Sequence, residues 1–174
     1  GSIERVYVVK EVAEELVARV VARTRQLRQG DPLAEATDVG PMTTAEQRDF
    51  VDAQVREALA QGARALTGGE KPAAKGFWFP PTVLVDVARG MRVMREETFG
   101  PVLPIAVVGS LDEGIALAND SEFGLTASGW TRSRRTARKL AEELRAGTVT
   151  INDHLFSFGE PTASWGGLGK SGIG

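Results

Sequence analysis

The sequence contains no cysteine, and this absence removes disulfide frameworks, thiolate-rich zinc sites and a thiol nucleophile together. It has a single histidine, His154, too few imidazoles for a three-ligand metal set or a nucleophile–base pair. Neither charge sign dominates: 21 Lys and Arg against 23 Asp and Glu leave a formal net charge of -2. The charges are mixed along the chain with no basic stripe, so the electrostatic footprint of a nucleic-acid binder is missing. Long apolar runs are also lacking. Segments such as "VLPIAVV" fall far short of the roughly 20 residues a bilayer requires, and no leader with an apolar h-region precedes them. A soluble, cytoplasmic protein is the expectation, with no membrane or nucleic-acid partner. No internal repeat or low-complexity segment interrupts the chain.

What is present fits an ordinary globular domain with a substantial core: 174 residues, 42% of them hydrophobic, which makes one domain the default. "RVYVV" from Arg5 to Val9 is β-branched and aromatic and reads as a strand. The next twenty residues place Val12, Leu16, Val20 and Leu27 at helical spacing, with Gly30 as a stop. "DPLAEATDVGPM" is a loop. "TTAEQRDFVDAQVREALAQG" is a second helix opening on Thr43 or Thr44, and Gln47 stands where the partner of a capping box would be. "ARALTGG" and "FWFPPTVLVDV" read as strands, the second carrying Pro80 and Pro81, which suit an edge or an extended approach better than a central ladder. Then come the buried-strand run "VLPIAVVG", a helix capped by Ser110 with Glu113 three residues on, the strand "LTASGWT", a helix from Ser133 towards Gly147, and the strand "TVTIN". Strands separated by helices predict an α/β fold with a largely parallel sheet flanked by helices.

Several residues and motifs are candidates for function. Glu96 and Glu97 stand directly before Thr98, Phe99, Gly100 and Pro101. Adjacent residues of an extended segment point to opposite sides, so the two do not form a paired-carboxylate site and at most one faces a ligand. Standing alone, they would read as a solvated charge pair before a turn. His154 follows the "TVTIN" strand, at the edge where α/β proteins place ligands, and a structural or pocket-lining role suits it better than catalysis. The tail holds two phosphate-loop look-alikes. "GLGKSG", Gly167 to Gly172, satisfies G-x-G-x-x-G, and "SWGGLGKS" misses a P-loop because Ser164 replaces its first glycine. Both mechanisms need a following helix, for which the remaining residues leave no room, so a tight glycine-rich turn is the expectation.

The motifs "TDVGPM", "TGGE", "FWFPPTVL", "EETFGPVLPI", "LANDSEFGLTASGWT", "GTVTIND" and "SWGGLGKSGIG", in this order and spacing, resemble the C-terminal part of the NAD(P)-dependent aldehyde dehydrogenase family. The resemblance covers essentially the whole chain, since "SIERVYV" is similar to the segment following the family's nucleophilic cysteine. It implies an incomplete catalytic domain, residues 1–174, without the upstream dinucleotide-binding domain and the C-terminal oligomerisation tail. For the parent enzyme it implies oxidation of an aldehyde to a carboxylic acid with NAD or NADP, through a cysteine thiohemiacetal and thioester, in a homo-oligomer. The cysteine, the general base and the oxyanion asparagine all precede Gly1 in the family's order, so no catalytic residue is expected in this chain and it should be inactive alone. The resemblance assigns cofactor binding to Glu97, which would accept from the nicotinamide ribose hydroxyls, and Phe99, which would pack beside the nicotinamide. It nominates His154, Phe156 and Trp165 as substrate-pocket residues, and no metal. Two other readings stand beside it. One is a non-catalytic scaffold or interaction domain derived from the family. The other is a parent that reduces acyl-CoA or acyl phosphate.

Overall fold

A computed structural model describes residues 3–154 and 166–172. The chain divides into two compact units, Gly1–Gly109 and Ser110–Gly174.

The first unit is built on a four-stranded sheet. Its elements are β1 (Val6–Val9), α1 (Lys10–Thr24), α2 (Ala45–Ala60), β2 (Arg64–Thr67), β3 (Thr82–Val85), a 3-10 turn (Arg92–Met94) and β4 (Val102–Val108). The strands lie in the order β1-β4-β3-β2, with β1 and β3 parallel to β4 and only β2 antiparallel. The expected α/β class with a largely parallel sheet is found. Alternation along the central strands sends successive side chains to opposite faces. Leu84 and Val102 enter a core with Val51, Val55 and Ala58 of α2, whereas Val83 and Ile105 enter a second core with Ala13 and Val21 of α1. Both faces are therefore covered, as a sheet of parallel strands requires.

Local chemistry explains some boundaries and tertiary contacts explain others. Thr44 caps α2 by accepting from the Gln47 amide N–H, as the spacing predicts. In α1 the inward positions are Ala13, Leu16, Val17, Val20 and Val21, while Val12 and Leu27 of the expected stripe are exposed. The helix also stops at Thr24, short of Gly30. Arg28 is drawn away to Asp38, through both its backbone N–H and its Nε, and the Gln29 side chain donates to the Phe79 carbonyl. Pro80 and Pro81 form the extended approach to β3 rather than part of a ladder, and β3 itself lies inside the sheet. Pro104 does sit in a central strand. It occupies the position where the ladder to β3 ends, at Leu84↔Pro104, and the ladder to β1 begins, at Val6↔Ile105, so its missing N–H falls at the changeover.

The second unit contains α3 (Leu111–Asn119), β5 (Phe123–Gly124), β6 (Thr126–Gly129), α4 (Arg134–Glu143), β7 (Thr148–Ile151) and β8 (Leu168–Gly169). Helix α4 connects the parallel pair β6 and β7, and β5 pairs antiparallel with β8. Ser110 and Ser133 cap α3 and α4 through their hydroxyls. Helix α4 ends at Glu143, before the expected Gly147, because the Asn119 side chain donates to the Glu143 carbonyl and accepts from the Arg145 N–H. No described helix is long and apolar enough to cross a membrane.

Candidate functional site

The segment from Arg92 to Pro101 joins the core of the first unit to the start of β4. Met91, Val93 and Met94 are buried and fix its near end, and the Pro101 carbonyl accepts from the Thr82 N–H at 2.7 Å at its far end. Between these anchors the two adjacent glutamates have different fates. Glu96 is engaged: its carboxylate accepts from Arg92 Nε at 3.0 and 3.1 Å and from Gln54 Nε2 at 3.1 Å, and Arg5 reaches its carbonyl at 3.4 Å. The Arg92 hydrogen bond, assisted by that from Gln54, holds the Glu96 carboxyl below the ordinary glutamate range despite partial burial. The same guanidinium lies over the Phe50 ring, 5.2 Å from its centroid. Glu97 is half-buried and makes no side-chain hydrogen bond or ion pair among the described residues.

The following residues are held by their backbone. Thr98 is buried; its N–H donates to Glu4 Oε2 at 2.8 Å and its carbonyl accepts from Gln47 Nε2 at 2.7 Å. Among the described residues the Thr98 hydroxyl finds no partner. Phe99 has φ 44°, in the left-handed region, and its side chain is 62% exposed. Gly100 fits against α2 only because it lacks a Cβ, which would lie 2.7 Å from Val51 Cγ2.

The Glu97 carboxylate and the exposed Phe99 ring thus stand two residues apart on one turn. An ionised carboxylate offers acceptor sites for both hydroxyls of a vicinal diol, and the ring offers an apolar wall to a planar group. Among the described residues no three His, Asp or Glu side chains are grouped as metal ligands.

The second unit carries His154, exposed at the end of β7. Its backbone N–H donates to the Asp153 carboxylate, and its ring lies 6.2 Å from that of Trp130, with the planes tilted by 48°. Trp130 is itself 63% exposed. Phe156 and Trp165 lie outside the described residues. The structure thus brings Glu97 and Phe99 together on one turn and pairs His154 with an aromatic that sequence reasoning did not nominate. In the tail, the Gly167 N–H donates to the Gly172 carbonyl, closing the expected tight turn. Lys170 Nζ binds Glu122 at 2.9 Å and the Ser171 hydroxyl accepts from the Gly124 N–H, so the side chains that a phosphate loop would aim at a ligand are engaged within the fold. Gly169, at φ 59°, leaves no room for a side chain: a Cβ would lie 2.3 Å from the Glu122 carbonyl oxygen.

Glu4 and Gln47 were not legible as part of this site. Gln47 carries a signal, the Thr-x-x-Gln spacing, but its amide reaches the Thr98 carbonyl, and at 3.3 Å the Phe99 carbonyl, leaving the capping box half-made. Glu4 carries none, since its partner lies 94 residues on.

Comparison with known proteins gives a consistent result. The sequence model of the aldehyde dehydrogenase family matches residues 1–174. The chain is 42% identical over 169 residues to a succinate semialdehyde dehydrogenase [NAD(P)+] of Escherichia coli, covering 97% of this chain and 36% of that protein. It is 41% identical over 174 residues to a betaine aldehyde dehydrogenase of Brucella melitensis, covering 98% of this chain and 35% of the relative. Among solved structures, lactaldehyde dehydrogenase from Escherichia coli superposes with a TM-score of 0.93 at 38% identity, over 98% of this chain and 36% of that one. The chain spans about a third of the length of the relatives it matches.

Proposed function

This chain belongs to the aldehyde dehydrogenase family of oxidoreductases, and on that premise we propose that it is a partial catalytic domain supplying the nicotinamide-side wall of an NAD(P)-dependent enzyme. The parent oxidises an aldehyde to a carboxylic acid through a cysteine thiohemiacetal and thioester. When bound, the nicotinamide serves as the hydride acceptor. Glu97 accepts the two ribose hydroxyls and so fixes the sugar; Phe99 gives the ring an apolar face and excludes water from it. Glu96 is a structural neighbour, already committed to Arg92 and Gln54. His154, Phe156 and Trp165 belong, on this reading, to the wall of the aldehyde's path. This sequence contains no cysteine, so the chain alone performs none of the bond-making steps.

One observation carries the reading: on a turn whose other polar groups are largely satisfied, a carboxylate without a partner among the described residues stands beside an exposed aromatic in the left-handed region. A scaffold or interaction domain gains nothing in stability from either feature, because an exposed, conformationally costly phenylalanine opposes folding. The test is Glu97→Gln in the full-length enzyme that carries these residues. The change keeps size but removes the charged acceptor, so turnover should fall with a smaller change in the aldehyde KM, and the primary isotope effect from deuterium on the aldehyde carbon should rise. Unchanged turnover and an unchanged isotope effect would assign Glu97 to solvent.

A further inference from the structure

Thr98 lies between Glu97 and Phe99, and side chains from two distant elements grip its peptide groups. From the segment before β1, Glu4 Oε2 accepts the Thr98 N–H at 2.8 Å. From the first turn of α2, Gln47 Nε2 donates to the Thr98 carbonyl at 2.7 Å and to the Phe99 carbonyl at 3.3 Å. Thr98 is 1% exposed, so water cannot replace these partners. The two flanking side chains have no comparable hold. Where Glu97 and Phe99 stand therefore depends on how firmly Thr98 is kept.

We propose that Glu4 and Gln47 are positioning residues that clamp Thr98 and thereby set the Glu97 carboxylate and the Phe99 ring for the nicotinamide ribose. The inference rests on the reading of Glu97 and Phe99 given above. A charged acceptor on the N–H side makes the Glu4 bond the stronger of the two. Because Glu4 lies two residues before β1, whose Val6 pairs with Ile105 of β4, the clamp also ties the approach to β1 to the turn leading into β4. A displacement of about an ångström at the ribose would carry the ring out of the near-attack geometry that hydride transfer requires.

The test uses the full-length enzyme with Glu4→Ala, Glu4→Gln, Gln47→Met and, as reference, Glu97→Gln. Methionine keeps the length of the glutamine stem and removes its amide, and Glu4→Gln retains an acceptor for the Thr98 N–H. Three quantities are read: hydrogen exchange of the Thr98 amide by NMR, NAD affinity by calorimetry, and the primary deuterium isotope effect. Loss of one such bond should make the Thr98 amide exchange about tenfold faster in Glu4→Ala and weaken NAD binding by about tenfold in both Glu4→Ala and Gln47→Met. The isotope effect should rise as it does in Glu97→Gln. Aldehyde KM should stay within about twofold of the parent value, and Glu4→Gln should recover most of the loss. Faster Thr98 exchange with unaltered NAD affinity and isotope effect, while Glu97→Gln changes both, overturns the positioning role and leaves the reading of Glu97 intact. Failure of Glu4→Gln to recover function overturns the hydrogen-bond role of Glu4. A silent Glu97→Gln overturns the reading of the turn and the clamp with it.

Discussion

Replacing Phe99 by glycine should leave the protein more stable than replacing it by alanine. Phe99 sits at φ 44°, where a side chain bearing a Cβ costs roughly 1–2 kcal/mol and glycine does not. Both variants lose the same ring, which is 62% exposed, so the lost contacts cancel in the comparison. Alanine keeps the steric cost. Glycine removes it but adds roughly 0.4–1 kcal/mol of unfolded-chain entropy, leaving about 0.8 kcal/mol in favour of glycine at the midpoints of the two ranges. Urea denaturation of the 174-residue chain and both variants, followed by circular dichroism, measures it, with equal m-values as the condition for comparison. In the full-length enzyme both variants should weaken NAD binding alike, because both lack the ring. A glycine variant that is the more stable of the two and still binds NAD poorly is the signature of strain retained for function. An alanine variant as stable as glycine, or more so, refutes the reasoning, because it would mean that the turn relaxes out of the left-handed region without cost.

Acid should expose the role of Glu96, whose folded pKa lies below its unfolded one: its contribution is full above the ordinary glutamate range and is lost as pH falls through the depressed folded value. Arg92→Met should therefore flatten the acid limb of the stability curve between about pH 5 and 3, and only modestly, since the Glu96 side chain is 43% exposed; an unaltered limb in urea titrations would deny the coupling. Gly100→Ala should destabilise the fold by about 1–3 kcal/mol, because its new methyl would meet Val51 Cγ2 at 2.7 Å; a denaturation midpoint equal to the parent's would mean that α2 yields freely. The isolated chain should give no NAD(P)-dependent aldehyde oxidation by absorbance of the reduced cofactor and no micromolar NAD binding by calorimetry, and turnover surviving repurification would contradict this.

Local chemistry was legible in the sequence wherever the deciding partner lay within a few residues. Thr44, Ser110 and Ser133 cap their helices because a hydroxyl three residues before an amide needs nothing else. The ends of α1 and α4 were not legible, because each is decided from afar: Asp38 takes Arg28, and Asn119 takes the Glu143 carbonyl. The prolines divide in the same way. Pro80 and Pro81 stay outside the ladder, as their chemistry requires, while Pro104 enters a central strand at a change of partners that no local pattern encodes. At the candidate site the motif was visible, but not the different commitments of its two adjacent glutamates. Which glutamate is committed to the fold depends on Gln54, 42 residues away, and on Arg92.

Those commitments alternate along the turn. Glu96 is fixed through its side chain and Thr98 through its N–H and carbonyl, while among the described residues Glu97 has no side-chain partner and the Phe99 ring is exposed. A segment selected for solubility would place its free carboxylate where hydration is complete, and one selected for stability would not hold a phenylalanine at a positive φ. This turn does neither, leaving a half-buried acceptor and an uncovered ring on residues whose neighbours are tied down. On the proposed reading, the backbone that carries the diol acceptor and the ring is ordered in folding, so the ligand has only the two side chains left to order at the moment of binding. Loosening Thr98 would transfer that cost to the ligand, and weaker binding without any lost ligand contact is how it would appear.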